Sequence, residues 1–201
     1  MKLYYSPGAC SLAPHIVLNE LGQPYDLEKV DLGAKKTETG ANFLDVNDKG
    51  YVPTLDLGSG EVLTEVSTIL QYLVDKAKNT DLLPAFGSMD RYRAMESLNF
   101  VASELHKGIG GLFNPSMPED GKAAIKDRLT RRFAWLDAQL AKKPYLLGDT
   151  YSVADAYAFT VLGWTKHVGI DLSPYAHVVA YMDRVGQRPA VQAALKKEGL
   201  A

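Results

Sequence analysis

The chain holds a single cysteine, Cys10, inside Tyr5-Ser6-Pro7-Gly8-Ala9-Cys10-Ser11-Leu12-Ala13-Pro14. Pro7 and Gly8 read as a turn, and Pro14 suits the first turn of a helix, where a missing N–H costs nothing. Cys10 therefore stands at a helix N-terminus. Open N–H groups and the positive end of the helix dipole favour an anion there. Such surroundings lower a thiol pKa from about 8.5 into the range of roughly 3.5–7.5. A small buried apolar residue is the competing reading of a free cysteine.

A second set lies on a helical pattern further along. Asn99, Ser103 and His106 are spaced for one polar stripe, with Lys107 beside them. A histidine titrates near neutrality and can donate to or accept from sulfur or carboxylate. A solvated helix face explains the same stripe unless it faces the Cys10 turn. Val52-Pro53 is a place where a cis peptide can occur. A cis turn would hold the Val52 N–H and C=O outward for an extended peptide. Glu65 opens a helix, either as a plain capping acid or as an acceptor for an ammonium. Lys35, in a polar loop, is either a surface lysine or the partner of a carboxylate.

These residues need a scaffold. Residues 1 to about 78 alternate strand and helix patterns in the order β-α-β-(α)-β-β-α. Lys2–Tyr5 is strand-like, and Leu12 to Leu21 is helical and ended by Gly22. Tyr25–Val30 alternates as a strand, and Asp31 to Gly40 reads as a polar loop. Thr54–Leu57 and Val62-Leu63 flank a Gly58-Ser59-Gly60 hairpin. This order predicts a mixed four-stranded sheet with helices against it. Beyond Ser88 the pattern is helical throughout. Met95, Leu98, Ala102, Leu105, Ile109 and Leu112 form one apolar seam, and Ile125, Leu129, Phe133, Leu136 and Leu140 another. The opposite face of the second helix, with Lys122, Lys126, Arg128, Arg131 and Arg132, reads as solvated. Ser152 and Asp155 make a capping-box variant before a helix running to about Val168. Two shorter helices are expected from Pro174 to Gly186 and from Pro189 to Lys197.

Composition sets outer limits. The chain has 201 residues, 46% of them hydrophobic, with a formal net charge of −2. That balance attracts neither nucleic acid nor an anionic membrane. One cysteine rules out an intrachain disulfide and favours a reducing compartment, so a cytoplasmic location is expected. No apolar run approaches the ~20 residues of a membrane span.

Several segments together resemble the bacterial beta-class glutathione transferases over essentially the full length. They are Met1–Ala13, Gly50-Tyr51-Val52-Pro53, Leu63-Thr64-Glu65, Glu104-Leu105-His106-Lys107-Gly108 and Val153-Ala154-Asp155-Ala156-Tyr157. The resemblance implies a thioredoxin-like glutathione-binding domain over 1–80 (βαβαββα), a linker over 81–87, an all-helical domain over 88–201, and a homodimer. It implies that Cys10 and His106 approach the glutathione sulfur as the catalytic pair. It further implies that Ala9, Lys35, Tyr51, Val52, Pro53, Glu65, Val66, Asn99, Ser103 and Lys107 help to hold the tripeptide. Glutathione enters as co-substrate, with no metal and no further cofactor. Ile109, Leu112, Phe113 and Trp164 are candidates for the surface that meets a small hydrophobic electrophile, although each also reads as core. Such enzymes usually carry Ser or Gly after Glu65, and Val66 stands there in this chain, so no hydroxyl is offered at that place. Two other activities fit the same residues. One is a monothiol thiol-disulfide oxidoreductase, since Ala13 stands where a second cysteine would be. The other is a non-catalytic binding protein on the same fold.

Overall fold

The computed structural model describes residues 1–201 and divides into two compact units, Met1–Asn79 with Arg188–Ala201, and Thr80–Gln187. In the first unit the elements are β1 (Lys2–Tyr5), α1 (Leu12–Leu21), β2 (Asp26–Asp31), β3 (Lys36–Thr37), β4 (Thr54–Asp56), β5 (Val62–Thr64) and α2 (Val66–Ala77). The sheet order is β3-β2-β1-β4-β5. β1 runs parallel to β2, with Leu3 opposite Leu27, and antiparallel to β4, with Leu3 opposite Leu55. Leu3, Tyr4 and Tyr5 are all buried, as befits a central strand.

The sheet has five strands rather than the expected four, because the polar loop after β2 contains a short edge strand. Lys36 and Thr37 pair with Asp31 and Val30, and the Glu38 carboxylate accepts from the Lys29 N–H at 2.8 Å. Two residues are too short to leave a period in the sequence. Tyr4, Val30, Phe43 and Val52 form one apolar cluster, with the Tyr4 and Phe43 rings 5.6 Å apart.

The last helix, α8 (Pro189–Lys197), packs on α1 and belongs to this first unit. This corrects the expectation that 88–201 forms one helical domain. Glu20 accepts both Nε and Nη2 of Arg188, at 2.7 and 3.0 Å, and the Asn19 amide donates to the Ala190 carbonyl at 3.2 Å. Periodicity identifies the helix, but its partner is set by these contacts.

The second unit is helical. α3 (Met89–Phe100) continues through one π-helical stretch, Val101–His106, into α4 (Lys107–Gly111). α5 (Glu119–Leu140), α6 (Val153–Leu162), a 3₁₀ stretch over Gly163–His167 and α7 (Ala176–Gly186) follow. Leu98, Leu105, Ile109, Leu129, Phe133, Leu136 and Leu140 are buried, as their spacing requires. The Lys and Arg face of α5 is outward at Lys126, Arg128 and Arg131, while Arg132 donates to Glu104 at 2.6 Å. Residues 81–87 do not behave as a free linker. Leu82 and Leu83 are buried, the Leu82 carbonyl accepts from the Val153 N–H at 3.1 Å, and the guanidinium of the buried Arg91 donates to the Pro84 carbonyl at 3.3 Å. At the start of α6 the Ser152–Asp155 capping box is complete. Asp155 is fully buried and accepts from the Leu146 N–H, the Ser152 N–H and hydroxyl, and the Tyr181 hydroxyl. Burial pushes its carboxyl above the usual range, against the pull of those donors.

Candidate active site

The turn that carries Cys10 is closed by the Ala9 N–H on the Ser6 carbonyl, 3.0 Å, with Gly8 at φ +71°. That backbone conformation is why a glycine stands there. Ser11 occupies the N-cap position of α1, yet its hydroxyl caps nothing. It accepts from the Ser6 N–H at 3.2 Å and donates to the Ser6 carbonyl at 3.3 Å, fastening the end of β1 to the helix. Cys10 is partly buried, and its thiol donates to the Val52 carbonyl at 3.3 Å. Val52-Pro53 is a cis peptide. The Val52 carbonyl is thus taken by the thiol rather than turned outward, while the Val52 N–H has no partner within the chain.

This turn is organised by a residue that the sequence reading missed. Asn47 is buried, and its amide donates to the Tyr51 carbonyl and the Thr54 hydroxyl, both at 2.9 Å. Its own carbonyl accepts the Lys49 N–H at 3.1 Å, an Asx-type turn over Asn47-Asp48-Lys49-Gly50. That run is a turn signal, and it was available in the sequence. Lys35, itself at φ +54°, donates to the Gly50 carbonyl at 2.7 Å, so its ammonium lies against the same turn.

Glu65 holds φ +71° as the residue before α2, a conformation that costs an L residue on the order of 1–3 kcal/mol. Its exposed carboxylate accepts from the Tyr51 hydroxyl at 2.9 Å and lies 3.7 Å from Lys49 Nζ. The hydrogen bond to Glu65 pushes the Tyr51 phenol above its usual value. The first intrahelical bond runs from the Ile69 N–H to the Glu65 carbonyl at 3.0 Å, leaving the N–H groups of Val66, Ser67 and Thr68 open. The Val66 side chain is buried, and the Ser67 hydroxyl is buried without a partner. One face of this unit therefore gathers a thiol, an open backbone N–H at Val52, an ammonium, a carboxylate and an open helix N-terminus.

In the second unit the π-helical stretch alters the expected stripe. Asn99 and Ser103 remain exposed, joined by the Ser103 hydroxyl donating to the Asn99 carbonyl at 2.9 Å. His106 does not share their exposed face. The wider turn carries it toward α6, where Nδ1 shares a hydrogen bond of 2.5 Å with the Tyr157 hydroxyl. Its ring also meets Trp164 edge-on, centroids 4.9 Å apart, and Trp164 in turn meets Phe113 at 6.1 Å. Tyr157 is the second missed residue, and nothing in the spacing singles it out. Lys107 is exposed. Of the apolar candidates, Phe113 is 50% exposed and Trp164 half-buried, whereas Ile109 has no exposed surface and Leu112 is buried. Ile109 and Leu112 therefore belong to the core, and Ile109 presents no surface to a ligand.

Comparison with known proteins bears on both units. The N-terminal domain family of glutathione S-transferases matches residues 8–76, and the C-terminal domain family matches residues 119–184. Glutathione S-transferase GstA of Escherichia coli O157:H7 is 44% identical, with 100% of both chains covered. A sphingomonad glutathione S-transferase solved in complex with glutathione superposes with a TM-score of 0.95 at 49% identity, covering 100% of each chain. The beta-class enzyme of Sphingomonas chungbukensis gives a TM-score of 0.96 at 48% identity, again over 100% of each chain. Matched over its whole length by such enzymes, with the Cys10 turn and the open head of α2 lying inside the N-terminal match, the chain belongs to the glutathione S-transferase family, on its bacterial beta-class branch, and is a glutathione transferase.

Proposed function

We propose that this glutathione transferase conjugates the glutathione thiolate to small hydrophobic electrophiles, with Cys10 beside the reacting sulfur. The observation that carries this reading is the open N-terminus of α2 next to the Glu65 carboxylate. A γ-glutamyl group bears a carboxylate and an ammonium on one carbon, and these two features complement it. The N–H groups of Val66 and Ser67 take the carboxylate, and Glu65 takes the ammonium. The Val52 N–H pairs with the cysteinyl carbonyl, and Lys35 with the glycyl carboxylate. Ala9, Tyr51 and Pro53 complete the wall. A glutathione complex of a relative 49% identical supports the ligand.

The tripeptide sulfur then lies near Cys10, and lowering its pKa makes the thiolate available near neutrality. His106 is assigned a share of that work, with Asn99, Ser103 and Lys107 in supporting contacts. These four enter through the family resemblance. The electrophile is assigned to the surface of Phe113 and Trp164. A homodimer in the cytoplasm, with no further cofactor, completes the reading.

Glutathione at about 100-fold over its Kd stabilises the folded protein by about 2.7 kcal/mol, which thermal unfolding reads directly. Glu65→Ala removes most of that shift. A mutant shift equal to the wild type's refutes the role of Glu65. Turnover of an aryl halide, set against reduction of a glutathione mixed disulfide, decides between conjugation and monothiol exchange.

A further inference from the structure

The C-terminal residues fold onto the Cys10 turn. α8 ends in a Schellman arrangement, with Gly199 at φ +72°, its N–H on the Lys196 carbonyl at 3.2 Å and the Leu200 N–H on the Leu195 carbonyl at 2.8 Å. This reversal aims two side chains at Gly8. One Glu198 oxygen accepts the Gly8 N–H at 2.9 Å, and the other pairs with His15 Nδ1 at 2.7 Å. Both the Glu198 and His15 side chains have no exposed surface. The Leu200 methyls lie 3.7 Å from where a Gly8 side chain would begin.

From this geometry we infer that Glu198 is a positioning residue for the glutathione site, and that Glu198–Leu200 is a strap that sets the turn bearing Ala9 and Cys10. A fully buried carboxylate is costly, and an apolar residue of similar volume is often no worse for stability. What the carboxylate supplies and an apolar residue cannot is an acceptor for the amide in the middle of the turn, two residues before the thiol. Its position is fixed locally, by the Schellman cap beside it. Glu198 touches Gly8 and not the residues assigned to glutathione, so it acts through the turn. Small displacements of reacting groups are expensive in rate and affinity.

The inference rests on the reading that glutathione is held beside Cys10, and the test separates the two. Glutathione kinetics and alkylation of Cys10 by iodoacetamide are measured for the wild type, Glu198→Met, Glu198→Gln and Arg188→Met. Glu198→Met raises the glutathione KM about 10-fold with a much smaller change in kcat, and speeds alkylation by roughly 3- to 10-fold as the turn loosens. Glu198→Gln restores both, because its amide oxygen accepts the Gly8 N–H while its NH2 faces His15 Nδ1. Arg188→Met lowers Tm but leaves KM and alkylation unchanged. Equal KM shifts in Glu198→Met and Arg188→Met, or no shift in either, overturn the inference. Alkylation needs no glutathione. A wild type that fails to bind glutathione therefore refutes the proposed function, while faster alkylation in Glu198→Met still upholds the strap. If Glu198→Met does not fold, Leu200→Ala uncovers the same turn, and an unchanged alkylation rate there overturns the inference.

Discussion

The Cys10 thiol donates to the Val52 carbonyl across 3.3 Å, joining the turn before α1 to the turn before β4. The sulfur is thus engaged with backbone, and the conjugating sulfur is assigned to glutathione rather than to Cys10. Cys10→Ala should abolish any covalent glutathione adduct seen by mass spectrometry without reductant. It should reduce conjugation far less, since the conjugating sulfur belongs to glutathione. Complete loss of conjugation in Cys10→Ala, with glutathione binding intact, would make the cysteine indispensable and refute this assignment.

His106 is fixed by Tyr157, and the two substitutions should grade. His106→Ala is expected to lower kcat/KM by about 10- to 100-fold, or roughly 1.4–2.7 kcal/mol of transition-state stabilisation. Tyr157→Phe, which frees the ring but keeps it, should cost less, and adding it to His106→Ala should cost little more. Ser6→Ala and Tyr5→Phe should each fall below the loss from His106→Ala. Activity lost in Ser6→Ala or Tyr5→Phe, and kept in His106→Ala, would move the activating donor to the end of β1.

Val66 poses a trade between affinity and stability. Val66→Ser adds a hydroxyl at the open head of α2 and should tighten glutathione binding by about 0.5–1.5 kcal/mol, measured by titration calorimetry. Because the Val66 side chain is buried, the same change should lower Tm. Unchanged affinity would mean that the backbone N–H groups, or the orphaned Ser67 hydroxyl, already serve the carboxylate.

Glu28 should give the first unit a pH-dependent increment of stability. Burial pushes its carboxyl up, but the Thr39 hydroxyl at 2.6 Å, further threonine donors and Lys2 at 3.5 Å outweigh it, and the pKa lies below the usual value. A lowered carboxyl pKa stabilises above the unfolded-state value of 4.5, and the gain disappears as pH falls through the folded value. Glu28→Gln should therefore lower Tm at pH 7 by roughly 2–6 °C, with the difference closing in acid. A difference that persists unchanged at low pH would remove the carboxylate from the explanation.

Local chemistry made much of this readable. The Pro7-Gly8 turn, the Gly22 stop, the Ser152–Asp155 box and the buried seams of α3 to α5 follow from rules that act within a few residues. Contacts between distant segments leave no such trace. The pairing of Lys36-Thr37, the burial of Leu82 and Leu83, and the docking of α8 on α1 are decided by partners elsewhere in the chain. The stripe of Asn99, Ser103 and His106 assumes a regular helix, and one π-helical stretch is enough to turn the histidine away.

The first unit is assembled from two separate stretches, and Thr80–Gln187 lies between them in sequence. During synthesis β1, the Cys10 turn and α1 emerge before the helical unit, and the acceptor for the Gly8 amide emerges after it. A nascent chain stalled before residue 188 would carry a complete helical unit and an unstrapped thiol turn, so the turn is fastened only after Thr80–Gln187 has been made.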